Sequence, residues 1–415
     1  MTLQGIAEKS QKNIVHEMEI SMSTINANIH PPTATTLHGI ILVMVAVLPV
    51  MAIVSLVPVM PLLGKEFAAV PGSEFLVPTA LTVPALCVAI FSPFAGWLSD
   101  RIGRKRILVA SLVLYAILGL LPWFLTGLKE IIVARVGLGL TEAVLMTVAT
   151  AMIGDYFTGE ERQRWIALQV AAISFSAIFL IAIGGALGEA LGSRGPFLLY
   201  LIALPAAVLV ALFLFEPADG DETEQSEEAF PFREVLPLAA VTLCASMLFY
   251  TIVVQLGPLL ADIGVTSPAV IGMAGAGVNI GHVTGSFIFN RLRSWSGPAL
   301  LVVGFGIASM GYLALGFSED LQTRAAAAFF ASVGVGVLLP CLLAWILRVL
   351  PVSFRGRGTG LWTGTFFFGQ FLAPLAAIAL SGQLGGSLIN VILLYAVLAG
   401  VAAVISMAFA RKARE

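Results

Sequence analysis

"GIILVMVAVLPVMAIVSLVPVMPLL", residues 39–63, runs for 25 residues without a charged side chain. An α-helix of about 20 apolar residues crosses the roughly 30 Å hydrocarbon core of a bilayer. The rest of the chain is similar in character, since 59% of its 415 residues are hydrophobic and 11% are charged. In a soluble domain about 25% of the residues are charged. The composition therefore predicts an integral membrane protein.

Runs of this length occur twelve times, so the sequence predicts an all-α fold of twelve transmembrane helices with almost nothing left for a soluble domain. The predicted spans lie near residues 38–63, 75–98, 107–127, 131–155, 165–191, 196–215, 235–261, 267–290, 297–317, 322–347, 357–381 and 387–410. The polar first 36 residues lack the apolar segment of a cleaved signal peptide. We therefore expect the first span to act as an uncleaved anchor.

Basic residues predict the orientation, because loops rich in Lys and Arg are retained in the cytoplasm. With the amino terminus placed inside, 17 of the 22 Lys and Arg residues fall in inside segments. Four fall outside (Lys65, Lys129, Arg194 and Arg324), and Arg135 falls within a span. This asymmetry predicts a multi-pass protein of the cell inner (plasma) membrane with both termini in the cytoplasm.

One long polar stretch interrupts the spans, EPADGDETEQSEEAFPFRE at residues 216–234, which holds eight of the 24 acidic residues. Such a composition is typical of a solvated linker. It divides the spans six and six. The predicted domains are a cytoplasmic tail at 1–36, a six-helix bundle at 37–215, the linker at 216–234, a second bundle at 235–410 and a cytoplasmic tail at 411–415.

The two halves repeat each other. GWLSDRIGRKR at 96–106, after the second span, matches SFIFNRLRSWS at 286–296, after the eighth, at an offset of 190 residues. Arg162 and Arg164, after the fourth span, match Arg355 and Arg357, after the tenth, at an offset of 193 residues. Two matches at nearly one offset predict two pseudo-symmetric six-helix bundles. Many secondary transporters are built from such repeats around a central site.

The stretch GWLSDRIGRKR resembles the signature Gly-x-Leu-Ala/Ser-Asp-Arg-x-Gly-Arg-Arg/Lys of the major facilitator superfamily, which lies in the loop between helices 2 and 3 of that family. Here it follows the second of twelve spans, and its weaker copy follows the eighth. The resemblance implies two six-helix bundles that rock around a central cavity lined mainly by helices 1, 4, 7 and 10.

The signature loop is expected to act in gating. Asp100 ends the second span on the same face as the start of the eleventh, and an acid beside a helix N-terminus gains about 0.3–1 kcal/mol. In the family, that contact closes the cytoplasmic side. Gly96 would let the two helices approach closely, and Arg101 and Arg104 are placed to bridge to Asp155. The alternative, in which these arginines only set the topology, stays open.

Small residues at four-residue spacing let membrane helices pack closely. In the family, helices 5 and 8 face each other across the two halves, so the glycines of these spans predict a sliding interface. They are Gly184, Gly188 and Gly192 in the fifth span, and Gly277, Gly281 and Gly285 in the eighth.

The fourth span contains two charges, Arg135 and Glu142, in ARVGLGLTEAVLM at 134–146. Seven residues turn a helix by about 700°, so both side chains share one face, about 10 Å apart, with Gly139 leaving an open groove between them. A charge at the bilayer centre costs at least about 2.5 kcal/mol, which marks such residues as functional candidates. Burial disfavours a charged carboxylate and thereby suits proton binding. We predict that Glu142 binds a proton and that Arg135 attracts an anionic group or tunes Glu142. The alternative is a structural pair that braces the helix.

The segment RVGLGLTEA resembles the helix 4 pattern Arg-x-x-x-Gly-x-x-Glu-Ala/Gly of proton-coupled organic anion carriers, including sialin-like and sugar-acid transporters, and a related arginine and glutamate of spinster-type lipid transporters. The segments DYFTGEERQR and GGALGEALGSRGPFLLY are more similar to twelve-helix drug and metabolite exporters. The first resemblance implies anion uptake and the second implies export, and both interpretations stay open.

Further polar residues within spans are weaker candidates for the cavity. His282, in the eighth span, is a second possible proton site, although a packed, hydrogen-bonded histidine is the more common case. The others would either line the cavity and contact substrate or bond neighbouring helices. They are Gln169, Tyr250, Gln255 and Gln370.

These features predict a proton-coupled secondary transporter that works by alternating access and exports small amphipathic organic compounds. The alternative is proton-coupled symport of an organic or lipid-like anion bound by Arg135. The chain has no Gly-x4-Gly-Lys-Ser/Thr loop, so ATP is not expected as the energy source. It has four histidines, three of them before residue 39, and three separate cysteines, so neither an enzyme nor a metal site is expected. We expect no cofactor, no nucleic-acid partner and a monomer in the lipid bilayer.

Overall fold

A computed structural model describes residues 34–217, 230–351 and 354–412, and within them every regular element is a helix. The predicted all-α membrane fold is thereby confirmed. The twelve helices are α1 Thr36–Glu66, α2 Ser73–Ile102, α3 Arg104–Trp123, α4 Leu128–Tyr156, α5 Gly159–Leu191, α6 at 192–213, α7 Phe232–Ala261, α8 Pro268–Leu292, α9 Gly297–Gly316, α10 Leu321–Val349, α11 Arg355–Gln383 and α12 Leu388–Lys412.

Ten helical stretches of the described residues are long and apolar enough to cross a membrane. One of them, Gly159–Phe213, is 55 residues long and holds two passes, because the chain turns at Gly192 with φ +75°. A conformation with positive φ favours glycine, which has no Cβ. Helix α8 is less apolar, yet its 25 residues are long enough to span. The passes therefore agree with the twelve spans predicted from sequence.

The same contact recurs in both halves. In the first half the Tyr115 hydroxyl of α3 donates to the Leu48 carbonyl of α1 at 2.6 Å. In the second half the Tyr312 hydroxyl of α9 donates to the Leu248 carbonyl of α7. Each half also has its own apolar core, one centred on α1–α6 and one centred on α7–α12. The pseudo-symmetry predicted from the repeats therefore appears in the packing; the domain boundaries at 36, 215, 234 and 410 stay predictions.

The two ends of the helices form two faces of the protein. We call the one that carries Arg101–Arg106 and the start of α1 the basic face, and the other, which carries the α1–α2 and α7–α8 loops, the opposite face. Helix α1 breaks near the opposite face, where Val57–Val59 form a 3-10 turn, because Pro58 has no N–H for the helical ladder. The break places Pro61 against α7, where a Cβ on Gly257 would lie 3.2 Å from it.

The closest contact between the halves joins α5 to α8 near the opposite face. A Cβ on Gly185 would lie 2.5 Å from the Pro268 carbonyl oxygen and 3.0 Å from the Gly272 Cα. A Cβ on Gly272 would likewise lie 2.8 Å from the Ile181 carbonyl oxygen. Backbone approaches this close require glycine, so these residues form the interface between the halves.

The glycines predicted for this interface differ from those found, with one exception. Only Gly188 touches the other half, since a Cβ there would lie 3.0 Å from the Pro268 Cβ. Gly184 packs against Ser55 of α1, while Gly281 and Gly285 pack against α10 within their own half. Gly192 forms the turn before α6, and Gly277 has open space around its Cβ position. The prediction was wrong for these five; on α5 the reason is that Gly184 and Gly185 point about 100° apart around the helix.

Candidate functional site

A cavity of about 380 Å³ lies between the two halves and is lined by α1, α2, α4 and α5 on one side and by α7, α8, α10 and α11 on the other. Its walls come from the middle of each helix and the part nearer the basic face, for example Ser174, Ser286 and Leu343. Val170, also in the wall, is 59% exposed. The opposite end is shut by the α5–α8 and α1–α7 contacts. The described conformation is therefore open to the basic face.

Glu142 lines this cavity from α4. Its side chain is 3% exposed, and its Oε1 atom has no hydrogen-bond partner among the described residues. A buried polar atom without a partner is costly, and each such atom in a folded protein calls for an explanation. The carboxyl group is thus held at the cavity wall with one oxygen available to a proton or to cargo. Its predicted proton-binding role remains a prediction.

Three polar atoms of the second half reach the same cavity without partners among the described residues. They are His282 Nδ1 of α8, and Trp362 Nε1 and Gln370 Oε1 of α11. The His282 ring packs on Phe249, with ring centroids 4.5 Å apart. Together with Glu142 they supply hydrogen-bonding groups from both halves. His282 and Gln370, two of the candidates from sequence, therefore line the cavity, and their roles in proton coupling and cargo binding stay predictions.

Aromatic rings form the wall around these atoms. The Trp362 and Phe366 rings stack with centroids 5.5 Å apart at 7°, and Tyr250 meets Phe366 edge-on at 5.3 Å. Aromatic side chains present large, rigid apolar surfaces to a ligand. Trp362 and Phe366 belong to the segment GLWTGTFFFGQ at 360–370, which we did not single out from sequence. Its concentration of aromatic residues away from the membrane interfaces was the signal.

Arg135 lies elsewhere. It is fully buried, and Nε donates to the Ala80 carbonyl at 2.9 Å. Its Nη2 atom donates to the carbonyls of Ala52 at 2.6 Å and Leu81 at 3.2 Å. Its Nη1 atom donates to the Tyr200 hydroxyl. The guanidinium thus ties α4 to α1, α2 and α6, and does not line the cavity. The predicted contact with cargo is wrong for this conformation, which favours the bracing alternative.

The groove expected beside Gly139 is filled. A Cβ on Gly139 would lie 2.6 Å from the Pro84 Cα and 2.7 Å from the Cys87 Cβ, so α2 packs directly onto α4 there. This packing separates the two charges of α4. Among the described ion pairs none joins Arg135 to Glu142, as their spacing predicted.

Two glutamines predicted as cavity residues also face other surroundings. Gln169 Nε2 donates to the Thr150 hydroxyl at 2.9 Å, which joins α5 to α4. Gln255 is 2% exposed and does not line the cavity, and its Nε2 atom has no hydrogen-bond partner among the described residues. Gln169 therefore bonds between helices, and neither glutamine lies at the cavity wall, whereas Tyr250 does.

The signature loop forms an ionic cluster within the first half. Arg104 donates to Asp155 at the end of α4 and, at 3.3 Å, to Asp100. Arg101 does not join them, because it lies over the Trp97 ring at 4.1 Å. Only one of the two predicted bridges to Asp155 is therefore present.

The expected contact between Asp100 and α11 is not formed in this conformation. Helix α11 begins after Phe354 without a side-chain cap, and the Asp100 side chain is 62% exposed. Gly96 lies nearest α4, where a Cβ would be 3.7 Å from Thr147 Cγ2. The contact that closes this side in the family is thus absent here, which agrees with a cavity that is accessible from the basic face. The gating role of these residues stays a prediction.

Glu216, which follows α6, was not identified from sequence. Its carboxylate accepts hydrogen bonds from the backbone N–H groups of Arg104 and Lys105 and so caps α3. Helix N-termini favour such anions. Its signal was an acid placed directly after the last apolar residue of a span.

Among the described residues no group of three His, Cys, Asp or Glu side chains converges to hold a metal ion.

The described residues form twelve membrane helices in two similar halves, with a cavity between them that is open to one face. This arrangement defines a membrane transporter and not an enzyme. The chain belongs to the Major Facilitator Superfamily, whose family model matches residues 41–319 and 238–415. The resemblance seen in the signature loop is thereby confirmed.

Several curated proteins are similar over most of the chain. The class B tetracycline resistance protein of Escherichia coli is 26% identical over 317 residues, which cover 73% of this chain and 78% of that protein. The multi-drug resistance efflux pump PmrA of Streptococcus pneumoniae is 26% identical over 344 residues, which cover 79% and 85%. The gentisate transporter of Corynebacterium glutamicum is 25% identical over 324 residues, which cover 72% and 71%.

Among solved structures, a bacterial homolog of the human lysosomal transporter Spinster, inward-facing and occupied, matches with a TM-score of 0.71 at 16% identity. The match covers 92% of this chain and 98% of that chain. At this identity the similarity establishes the shared fold.

Proposed function

We propose that this protein exports small amphipathic organic compounds across the cell inner membrane in exchange for protons. The carrying observation is the carboxyl group of Glu142, buried at the wall of a cavity between the two halves with one oxygen unpartnered among the described residues. Similar proteins that bear the names of tetracycline resistance proteins and a multi-drug efflux pump favour export. The excess of basic residues favours a cytoplasmic basic face and cytoplasmic termini.

Coupling follows from the cost of an unpaired charge. When the cavity is shut at both faces, an ionised Glu142 without a partner costs several kcal/mol in a medium of low dielectric. Closure is therefore favourable only when the carboxyl group holds a proton or meets a donor group of the cargo. Cargo would leave with the halves open to the outside, and a proton bound there would allow the empty protein to return. No ATP or resident cofactor is needed for this cycle.

The cavity wall also limits the cargo. Its described residues include the carboxyl group of Glu142 and five aromatic side chains but no Lys or Arg. Such a wall favours neutral or positively charged amphipathic compounds. The anion symport considered from sequence required Arg135 at the cavity, and its guanidinium is occupied by carbonyl groups and Tyr200. The protein is proposed to act as a monomer, because the cavity lies between two halves of one chain.

Glu142→Gln tests the proposal, because glutamine keeps the shape of the side chain but cannot exchange a proton. In vesicles that contain the purified protein and a pH-sensitive dye, a fluorescent aromatic amine should move protons with the wild-type protein. We expect the variant to lower this proton flux at least about tenfold, the effect of about 1.4 kcal/mol. Glu130→Gln, an exposed acid at the start of α4, is the matched control and should keep the flux. Unchanged proton flux in Glu142→Gln would refute this role of Glu142.

A further inference from the structure

A carboxylate of the first half contacts the first turn of a helix of the second half at the opposite face. Glu189, near the end of α5, accepts a hydrogen bond at its Oε2 atom from the Ser267 hydroxyl at 2.7 Å and a longer one from the Ala269 N–H at 3.4 Å. Ser267 is the N-cap of α8, and its hydroxyl in turn accepts from the Val270 N–H at 3.3 Å. The carboxylate therefore completes the capping of α8 from across the boundary between the halves.

This contact lies directly over the backbone contact that shuts the opposite face. One helical turn before Glu189, Gly185 approaches the Pro268 carbonyl oxygen and the Gly272 Cα. Gly188 lies against the Pro268 ring. Any motion that opens the cavity to the opposite face must separate α5 from α8 here. Both hydrogen bonds of Glu189 must then break.

We propose that Glu189 is an outer-gate residue, whose bonds to the first turn of α8 stabilise the conformation closed at the opposite face. The inference rests on the alternating access of the proposed function but not on its proton coupling. Glu189 is exposed, so water replaces its partners when the gate opens and the net gain is modest. A modest gain suits a gate, because a strong bond would trap the protein in one state. The bonds should bias the ratio of closed to open states by about threefold to tenfold.

A second acid on the same face provides a matched control. Glu66, at the end of α1, accepts from the Ser193 hydroxyl and pairs with Arg194, both at 2.6 Å. All three residues belong to the first half, so these bonds persist when the halves move as rigid bodies. Removal of Glu66 should therefore leave the equilibrium between the two conformations unchanged.

The experiment measures the distance across the opposite face in the full chain, reconstituted in lipid nanodiscs without cargo. Spin labels are attached at Lys129→Cys in the first half and Glu319→Cys in the second, both exposed on this face. The native cysteines are first replaced by alanine. They are Cys87, Cys244 and Cys341. Double electron–electron resonance spectroscopy then gives the populations of the short and the long distance between the two spin labels.

Glu189→Ala should raise the ratio of long to short distances about threefold to tenfold. Ser267→Asp should do the same, because aspartate still caps α8 but repels Glu189 in place of the donated bond. Glu66→Ala should leave the ratio at the wild-type value. The proposal is overturned if Glu189→Ala leaves the ratio unchanged or if Glu66→Ala raises it equally. All variants are compared at one pH and keep Glu142, so a shift in Glu189→Ala together with intact proton flux in Glu142→Gln would keep the gate and reject the coupling.

Discussion

Arg135→Leu is expected to lower the free energy of unfolding by about 1–3 kcal/mol and to reduce transport of every cargo alike. Leucine fills part of the volume but cannot donate to the carbonyls of Ala52, Ala80 and Leu81, or to the Tyr200 hydroxyl. A buried polar group that loses its partner costs about 1–3 kcal/mol. Without these hydrogen bonds, α4 should pack less tightly against α1, α2 and α6. The measurement is the melting temperature of the detergent-solubilised protein, followed by vesicle transport of one neutral and one anionic aromatic compound.

Arg164→Leu is the control for this prediction, because Arg164 is exposed on α5 and its loss should change the melting temperature little. The outcome that contradicts the bracing role is specific. If Arg135→Leu melts like the wild-type protein yet loses only the anionic compound, the guanidinium binds cargo and the anion symport considered from sequence regains support.

The membrane fold and the site of Glu142 could be predicted because each depends on the free energy of one helix in lipid and not on its neighbours. A run of 25 uncharged residues at 39–63 is long enough to span a bilayer whatever the other helices do. A carboxyl group in the middle of such a helix is rejected by lipid, so it must face a polar space or a partner. The structure places Glu142 at a cavity, as this argument requires.

The environment of Arg135 could not be predicted in the same way. Helical periodicity places Arg135 and Glu142 on one face, and the structure agrees that both are buried. Periodicity does not predict which groups surround Arg135, about 10 Å along the helix axis from Glu142. Tyr200 and backbone carbonyls of two other helices converge there. Only tertiary packing decides whether a charge meets the cavity or these carbonyls.

The sequence did not show which glycines form the interface between the halves, or that aromatic residues line the cavity, for a related reason. Gly184 and Gly185 differ by about 100° on α5, and the sequence alone does not show which of the two faces α8. Trp362 and Phe366 lie in a span where an aromatic ring is equally compatible with lipid, a helix contact or a cavity. In an apolar solvent the hydrophobic pattern no longer separates inside from outside, so side-chain direction is the least predictable property.

Gly185→Ala is expected to shift the protein away from the conformation open to the basic face. The new Cβ would lie 2.5 Å from the Pro268 carbonyl oxygen and 3.0 Å from the Gly272 Cα, and backbone atoms cannot rotate away as a side chain does. Overpacking of this kind costs about 1–3 kcal/mol, which is a change of about 5- to 150-fold in the conformational ratio. The halves should relieve it by separating at the opposite face. The cavity would then become less accessible from the basic face.

The measurement uses a cysteine in the cavity wall, Ser174→Cys, in a chain whose native cysteines are alanine. Modification by a membrane-impermeant maleimide from the basic face should slow in Gly185→Ala. Gly277→Ala is the control, because its Cβ would meet open space and alanine favours the helix. Equal modification rates in Gly185→Ala and Gly277→Ala would mean that the α5–α8 contact yields locally. In that case other contacts, such as the one of Pro61 in α1 with Gly257 in α7, must hold the opposite face closed.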